Sequence, residues 1–160
     1  MNKAVLIAGT PCSGKSKITN KIHENYNLQL LNEINVYPNG LFSMKCAIQN
    51  NKYNGIVLIE HADILHIFDD IYKYFDEIII LLLNVSDKIL LENRNFRMSQ
   101  NITGDYLKFD ILQQKKYIEA DFNNINNKYI KYIANINERK DYDIEYNNII
   151  RLLKLNTPNV

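Results

Sequence analysis

The sequence contains no tryptophan and only two cysteines, three prolines and five glycines among its 160 residues. Cys12 and Cys46 are too few for a framework of disulfide bonds, and such sparse cysteine is typical of proteins kept in a reducing compartment. We therefore expect a cytoplasmic protein whose fold does not depend on covalent crosslinks.

Long apolar runs are also missing. The longest, at 78–83, is much shorter than the roughly 20 residues that a membrane-spanning helix needs. The apolar stretch at 4–8 follows a single lysine and leads directly into a glycine-containing loop, which indicates a buried strand and not a signal peptide. The sequence therefore predicts no membrane partner.

An excess of charge of one sign is absent as well. The 19 Lys and Arg residues are balanced by 18 Asp and Glu residues, for a net charge of +1. Strong binding to nucleic acid or to an acidic membrane surface requires a positive field, so neither is expected. The length suits one domain over 1–160 with a full core, and no repeat or linker divides it. Either a monomer or a homodimer fits.

The most informative stretch follows the first apolar run. It reads Gly9-Thr10-Pro11-Cys12-Ser13-Gly14-Lys15-Ser16, which matches the phosphate-binding pattern G-x-x-x-x-G-K-[ST]. A strand precedes it and a helix-compatible stretch follows, which is the context that a P-loop requires. Backbone N–H groups and the positive end of that helix then face a phosphate chain. We predict that all of these residues bind ATP, with Lys15 neutralising the outer phosphates and the Ser16 hydroxyl ligating Mg²⁺.

The remaining chain alternates between strand and helix patterns. Strands are predicted at 3–8, 28–31, 55–59, 78–83 and 129–136, and helices at 15–26, 41–50, 64–72, 87–97, 105–122 and 143–155. The segment 98–104 is polar and is expected to be mobile. Alternation of this kind predicts an α/β fold in three layers, with a parallel sheet between two layers of helices.

In such sheets, ligands bind beyond the carboxyl ends of the strands. Glu60 ends an apolar strand there, and we predict that it is the base for the acceptor hydroxyl or a carboxylate linked to Mg²⁺ through water. A solvated glutamate is the alternative. Glu33 is a second candidate at the acceptor. His61 either contacts acceptor or phosphate directly or only orients a neighbour, and Asp63 is expected to cap the helix at 64–72.

Two arginines occur in the helix that follows the fourth strand. Arg94 and Arg97 have i, i+3 spacing and share a face. The planar guanidinium group suits anionic oxygens, so we predict that both are catalytic phosphate contacts. A pair of solvated surface arginines is the alternative. A lid at about 95–105 would close over the nucleotide and exclude water.

The segment at about 32–54 is the expected acceptor region. It contains Tyr37 and Phe42, which can stack on a base, and Lys45, which can contact a phosphate. All three are also compatible with packing and solvent contacts in a small lobe. The segment is short, which leaves little room for a full nucleobase-binding lobe.

These features resemble the P-loop small-molecule kinases, especially the nucleoside and nucleoside-monophosphate kinases. The loop Gly-Thr-Pro-x-x-Gly-Lys-Ser is similar to that of certain adenylate kinases and polynucleotide kinases, and 78–94 resembles the fourth strand and lid-entry helix of the family. The resemblance implies a P-loop NTPase fold with strand order 2-3-1-4-5, ATP as donor, Mg²⁺, and a lid with arginines.

The activity that the resemblance implies is transfer of the γ-phosphate of ATP to a nucleoside or nucleoside monophosphate. Three alternatives stay open: a kinase for another small alcohol, a kinase for a nucleic-acid 5′ end, and a non-catalytic ATP-binding regulatory module. The short acceptor region favours a small alcohol, whereas the near-neutral charge disfavours a long nucleic acid.

Several family motifs are absent. No Asp-Gly-Phe-Pro-Arg follows the third strand, unlike in ordinary adenylate and uridylate kinases, and neither Asp-Arg-Tyr nor Asp-Arg-His occurs there, unlike in thymidylate and thymidine kinases. The pair Glu60-His61 is found where deoxynucleoside kinases carry Glu-Arg. Cys12 replaces a usual glycine of the loop. It still offers its backbone N–H, so phosphate binding survives if its φ stays negative.

Overall fold

The computed structural model describes residues 1–33, 36, 40–103 and 110–155. Within them the strands are Asn2–Ala8 (β1), Gln29–Leu31 (β2), Gly55–Glu60 (β3), Glu77–Val85 (β4) and Ile130–Ile136 (β5). The α-helices are Lys15–Tyr26 (α1), Leu41–Asn50 (α2), Phe68–Ile71 (α3), Asp87–Ser99 (α4), Ile111–Asn124 (α5) and Asp141–Leu152 (α6). None of these helices is long and apolar enough to cross a bilayer.

The five strands form one parallel sheet. Their order is β2-β3-β1-β4-β5, which confirms the predicted fold class and strand order. The central strand, β1, pairs with β3 on one side and β4 on the other, and its residues from Ala4 to Ala8 are buried. A strand covered on both faces must be apolar on both, which is why this run is continuous and not alternating.

Each face of the sheet has its own apolar core. Leu6 of β1 belongs to one core, with side chains from α2, α3 and α5. Ile7, the next residue, belongs to the other core, with side chains from α1, α4 and α6. Neighbouring residues of a strand point to opposite faces, so β1 anchors both helical layers and holds the loop after it in a fixed position.

The helix predicted at 64–72 is interrupted. The chain there forms a 3₁₀ helix over Ile64–Ile67, the single turn of α3, and a second 3₁₀ helix over Tyr72–Tyr74. The apolar side chains of Ile64, Phe68 and Ile71 are nevertheless buried as the stripe requires. An apolar stripe at spacings of three and four is compatible with both helix types over so short a segment, so the prediction of one continuous α-helix was wrong.

The helix that carries the two arginines is longer than expected. α4 continues through Ser99, so Met98 and Ser99 are helical and do not belong to a polar break. Its end is closed by Ile102 N, which donates to Arg97 O at 3.0 Å, and by Asn101, whose φ of +54° is left-handed. Residues 104–109, which include the predicted start of the next helix and the end of the predicted lid, lie outside the described residues.

Candidate active site

A cavity of about 680 Å³ lies at the carboxyl ends of β1, β2 and β3. Its volume is in the range of sites for small molecules. The predicted site residues that line it are Pro11, Cys12, Gly14, Lys15, Ser16, Glu33, Glu60, His61 and Arg97. Parallel strands bring their carboxyl ends to one edge, and this places residues distant in sequence around one space.

The loop between β1 and α1 has the shape of an anion cradle. Ser13 N donates to Thr10 O at 3.2 Å, and Lys15 Nζ lies 3.5 Å from the same carbonyl oxygen. Gly14, with φ of +84°, occupies the N-cap position of α1, and no side chain caps that helix. The first N–H groups of α1 are therefore available to an anionic ligand, and the helix dipole favours one.

Cys12 has a left-handed backbone conformation. Its φ is +69°, so the condition of a negative φ is not met at this position of the loop. A glycine reaches this region without the crowding between Cβ and backbone that strains an L-residue. The side chain is buried in the same core as Ile18, and that burial offsets part of the strain. Burial also raises the pKa of the Cys12 thiol, although Arg97, Lys15 and Arg94 lower it in part.

Side chains from two other helices and one loop support the P-loop. Asn93 of α4 donates to Cys12 O at 2.8 Å, and Tyr142 of α6 donates its hydroxyl hydrogen to Ser13 O at 2.9 Å. Arg139 in turn donates to Asn93 Oδ1 at 3.1 Å. The bonds from Asn93 and Tyr142 hold the carbonyl groups of Cys12 and Ser13 in place, and a carbonyl oxygen that faced the phosphate would repel it. We did not predict them, because partners so distant in sequence leave no local pattern.

Gly14 has no space for a side chain. A Cβ there would lie 2.8 Å from Tyr142 Cε1, whereas at Gly55, with a similar φ of +80°, it would meet nothing within 4 Å. We expect Gly55→Ala to lower the free energy of unfolding by about 1 kcal/mol through backbone strain alone. Gly14→Ala should lower it by about 2–4 kcal/mol, because overpacking against the ring is added. Urea denaturation followed by circular dichroism measures both.

A double variant tests whether the clash between a Cβ at Gly14 and the Tyr142 ring causes the larger loss. In a Tyr142→Ala background the ring is gone, so Gly14→Ala should then cost about as much as Gly55→Ala. Equal losses for the two single variants in the native background would contradict the close contact between Gly14 and Tyr142.

Ser16 and Glu60 form the central polar contact of the cavity. Ser16 Oγ donates to Glu60 Oε1 at 2.7 Å, and the Glu60 side chain is buried, with the residue only 5% exposed. Glu60 Oε2 is also buried and has no hydrogen-bond partner among the described residues. A buried carboxylate oxygen without a donor is costly, so this atom suits a ligand proton or a water on a cation. The hydroxyl and carboxylate oxygens are the donor types that Mg²⁺ prefers, so these residues fit that ion.

Lys15 shares this electrostatic environment. Packing around its ammonium group lowers the pKa of Lys15, while Glu60 and, to a smaller extent, Glu33 raise it. Arg97 lowers it further. The structure thus brings the predicted lysine together with both predicted glutamates and one predicted arginine.

His61 is oriented by two contacts. Asp63 N donates to His61 Nδ1 at 3.0 Å, which leaves the proton of the neutral ring on Nε2. Nε2 lies 3.3 Å from Glu33 Oε1 and can donate to it. Burial lowers the pKa of His61, although Glu33 and Asp63 oppose the effect, and the neutral ring matches this arrangement. The histidine therefore orients the Glu33 carboxylate, which is one of the two roles expected for it.

Asp63 does not have its predicted role. The residue occupies the N-cap position before Ile64, but its side chain makes no capping hydrogen bond. Its backbone N–H donates to His61 Nδ1, its carbonyl accepts from His66 N at 3.0 Å, and the residue lines the cavity. The predicted cap was therefore wrong, and Asp63 is instead one of the residues around the candidate site.

The two predicted arginines have different surroundings. Arg97 lines the cavity, whereas Arg94 is not among the described residues that line it. Arg94 Nε is buried with no hydrogen-bond partner in the described part of the chain. Its effect on the Cys12 thiol is smaller than those of Arg97 and Lys15. Three residues along a helix rotate a side chain by about 60°, and only Arg97 faces the cavity directly.

Two of the other predicted acceptor residues, Phe42 and Lys45, are not brought to the cavity. Phe42 is 76% exposed on α2, and Lys45 Nζ lies 3.5 Å from Asp70 Oδ2, so neither lines the cavity. Tyr37 lies outside the described residues. Instead, Phe96 of α4, which is 63% exposed, lines the cavity next to Arg97. We did not predict Phe96 as a site residue, although an aromatic side chain among the polar residues of this helix could have indicated a ligand contact.

No protein-family model and no curated protein matches this sequence. Solved structures do match its fold. A gluconokinase from Sinorhizobium meliloti superposes with a TM-score of 0.65 and 10% identity over 95% of this chain and 94% of that one. A sugar kinase from Janibacter superposes with a TM-score of 0.62 and 13% identity over 97% of this chain and 96% of that one. A deoxyadenosine kinase from M. mycoides with bound dATP superposes with a TM-score of 0.62 and 14% identity over 91% of this chain and 98% of that one. The chain thus has the fold of P-loop kinases.

Proposed function

We propose that this chain is a Mg²⁺-dependent kinase that transfers the γ-phosphoryl group of ATP to a nucleoside or nucleoside monophosphate. The observation that carries the proposal is the hydrogen bond between Ser16 and Glu60 inside a P-loop cavity. It places a hydroxyl group suited to Mg²⁺ against a buried carboxylate that can act on an acceptor. The shared fold of gluconokinase, sugar kinase and deoxyadenosine kinase supports a small hydroxyl compound as acceptor.

The donor nucleotide is bound by the first turn of α1. Its backbone N–H groups and the Lys15 ammonium hold the phosphates and neutralise their charge. Mg²⁺, when bound, supplies charge neutralisation on the phosphate oxygens; Ser16 Oγ would ligate it directly and Glu60 through water. Asn93 and Tyr142 keep the loop carbonyls in place, so the cradle needs little rearrangement when the nucleotide binds.

Glu60 is the residue that acts on the acceptor. Its Oε2 has no partner among the described residues and can accept the proton of an acceptor hydroxyl group, which makes the oxygen a better nucleophile. Glu33, oriented by His61, holds the acceptor by accepting hydrogen bonds from it. Arg97 stabilises the charge on the phosphoryl group during transfer.

A second acceptor class is a sugar or a sugar acid. The sugar kinase and the gluconokinase superpose on this chain as well as the deoxyadenosine kinase does, which favours this candidate equally at the level of fold. Phe96 in the cavity favours a base or another flat group as part of one ligand.

The test is a panel of acceptors incubated with MgATP. Isothermal titration calorimetry first measures MgATP binding, and a coupled assay then measures ADP release with each nucleoside, nucleoside monophosphate, sugar and sugar acid. We expect binding of MgATP and ADP release that depends on the acceptor. Failure to bind MgATP, or ADP release at the same rate with and without every acceptor, would overturn the proposal.

Arg97→Ala should lower kcat by about 10- to 100-fold, since one donor to the transferring group is lost. Arg94→Ala should have a smaller effect, because Arg94 does not line the cavity among the described residues. Arg97→Lys should restore part of the loss, as it keeps the charge but not the planar fork. Arg151→Ala, at an exposed position on α6, is the matched control and should leave kcat unchanged. A larger loss for Arg94→Ala than for Arg97→Ala would contradict this assignment.

A further inference from the structure

We infer that the acceptor is an uncharged hydroxyl compound, a neutral nucleoside or sugar, and that Glu33 and Asp63 exclude anionic acceptors such as nucleoside monophosphates and sugar acids. The inference rests on the proposed function and narrows it by naming the substrate class. The distribution of charge around the cavity carries it.

The acceptor end of the cavity is acidic. Glu33 follows β2, Glu60 ends β3 and Asp63 follows it, and all three carboxylates line the cavity. His61, between them, is a neutral ring that accepts from Asp63 N and faces Glu33 through Nε2. Among the described residues that line the cavity, none at the ends of β2 and β3 has a positively charged side chain.

The cations that line the cavity are on α1 and α4, although Lys15 also interacts with Glu60 and Glu33. Lys15 and Lys17 are in the first turn of α1, and Arg97 is on α4, so all three flank the phosphate cradle. The triphosphate of the donor carries several negative charges of its own, and these cations are matched to it. They leave no surplus of positive charge for a second anion.

The acceptor region cannot supply the missing cation. Residues 32–54 contain only two basic residues, Lys45 and Lys52. Lys45 pairs with Asp70 of α3, Lys52 is exposed, and neither lines the cavity. The residues at 34, 35 and 37–39, whose structure is not described, carry no charge in the sequence. Residues 104–109, whose structure is also not described, contain one acidic and one basic residue, Asp105 and Lys108, so they add no net charge.

Carboxylates suit a polyhydroxyl ligand. His61 donates one N–H to Glu33, and a carboxylate has room for further donors, so hydroxyl groups of an acceptor can bind there. A phosphate or carboxylate on the acceptor would instead be placed beside Glu33 and Asp63, where like charges repel. Neutral acceptors are therefore preferred over charged ones.

The test compares acceptors in matched pairs that differ mainly in charge. Each nucleoside is paired with its 3′-monophosphate, which keeps the 5′-hydroxyl group, and with its 5′-monophosphate, which keeps the 3′-hydroxyl group; glucose is paired with gluconate. In each case kcat/KM is measured with saturating MgATP. We expect at least one neutral compound to be phosphorylated with a kcat/KM at least about tenfold above that of its anionic partner, the size of effect that like-charge repulsion produces. MgATP binding is measured separately by calorimetry.

Substitution of Glu33 shows whether its charge causes the preference. Glu33→Gln keeps the shape and should reduce the neutral-to-anionic ratio of kcat/KM by at least about threefold, with the dissociation constant for MgATP unchanged. Glu24→Gln, an exposed glutamate on α1 outside the cavity, is the matched control and should leave the ratio unchanged.

Two results would overturn the inference while leaving MgATP binding intact: an anionic acceptor used as well as or better than its neutral partner, or no neutral acceptor used at all. An unchanged ratio in Glu33→Gln would also overturn the role of that residue. Absence of MgATP binding would overturn the proposed function first, and the inference with it, so the two failures are distinguishable.

Discussion

Glu60→Gln is expected to lower kcat by about 100- to 1000-fold while the dissociation constant for MgATP changes by less than about threefold. The substitution keeps the shape of the side chain, and its amide oxygen can still accept from Ser16 Oγ as Glu60 Oε1 does at 2.7 Å. What it removes is the negative charge and the buried oxygen that has no partner among the described residues. An amide cannot take a proton from an acceptor hydroxyl group, so the chemical step slows and binding does not.

The same variant separates the two roles that stay open for Glu60. If the carboxylate holds Mg²⁺ through water, the Mg²⁺ concentration for half-maximal rate should rise by about tenfold in Glu60→Gln. If it is the base, that concentration should not change, and only kcat should fall. Titration of Mg²⁺ at saturating ATP and acceptor distinguishes them.

Two controls make the result interpretable. The unfolding free energy of Glu60→Gln should stay within about 1 kcal/mol of the native chain, because the hydrogen bond is kept and one buried charge is removed. Glu24→Gln, at an exposed position on α1, should leave kcat unchanged. A native kcat in Glu60→Gln would remove this residue from the mechanism.

Much of the fold could be predicted because its signals are local. The continuous apolar run of β1 can only be a strand buried on both faces, and the motif from Gly9 to Ser16 has a required geometry between that strand and α1. The strand order 2-3-1-4-5 came from resemblance to P-loop kinases and was confirmed by the pairing of β1 with β3 and β4. The apolar pattern of the strands and the phosphate-binding motif indicated the same fold, and a prediction is reliable when independent features of the sequence agree in this way.

The errors arose where tertiary packing decides. The positive φ of Cys12 has no local signal, because the burial that offsets part of its strain comes from the surrounding fold. The 3₁₀ turns at Ile64–Ile67 have the same apolar spacing as an α-helix. Asp63 has the right residue type for a cap, but the N–H of His66, which a capping side chain would accept from, donates to Asp63 O at 3.0 Å. Each case needed knowledge of a neighbour that the local pattern does not contain.

The candidate site was predictable only in part for the same reason. Residues of the motif and of strand ends were found, since their position follows from topology: Lys15, Ser16, Glu33 and Glu60 all line one cavity. The side chains that support the loop are distant in sequence from their partners, with a separation of 81 residues for Asn93 and Cys12 and of 129 residues for Tyr142 and Ser13. Such contacts can be read only from the folded chain.

Lys15→Ala is expected to raise the dissociation constant for MgATP about 10- to 100-fold and to lower kcat/KM by about 1000-fold or more. The ammonium group is the one cation within the P-loop itself, and packing around it makes its interaction with phosphate stronger than at an exposed position. The pKa of Lys15 is lowered by that packing, and Glu60 and Glu33 oppose the shift, so both carboxylates lie near enough to interact with it.

Removal of Lys15 therefore has two consequences for the site. The outer phosphates lose their charge-assisted hydrogen bonds, which weakens binding. Glu60 and Glu33 also lose the nearest cation that we identify, so negative charge in the cavity rises just where a phosphoryl group must pass between nucleotide and acceptor. The second effect acts on the transition state as well, and this is why kcat/KM should fall further than affinity alone predicts.

Two variants show whether charge or shape is responsible. Lys15→Arg keeps the positive charge but has a larger, planar head group, so it should retain most of the MgATP affinity and still lose at least about tenfold in kcat. Lys88→Ala, at an exposed position in the first turn of α4, should change neither quantity. Calorimetry and the coupled assay measure both. If Lys15→Ala binds MgATP as tightly as the native chain, the loop is not a triphosphate site, and every role assigned to Ser16, Glu60 and Arg97 fails with it.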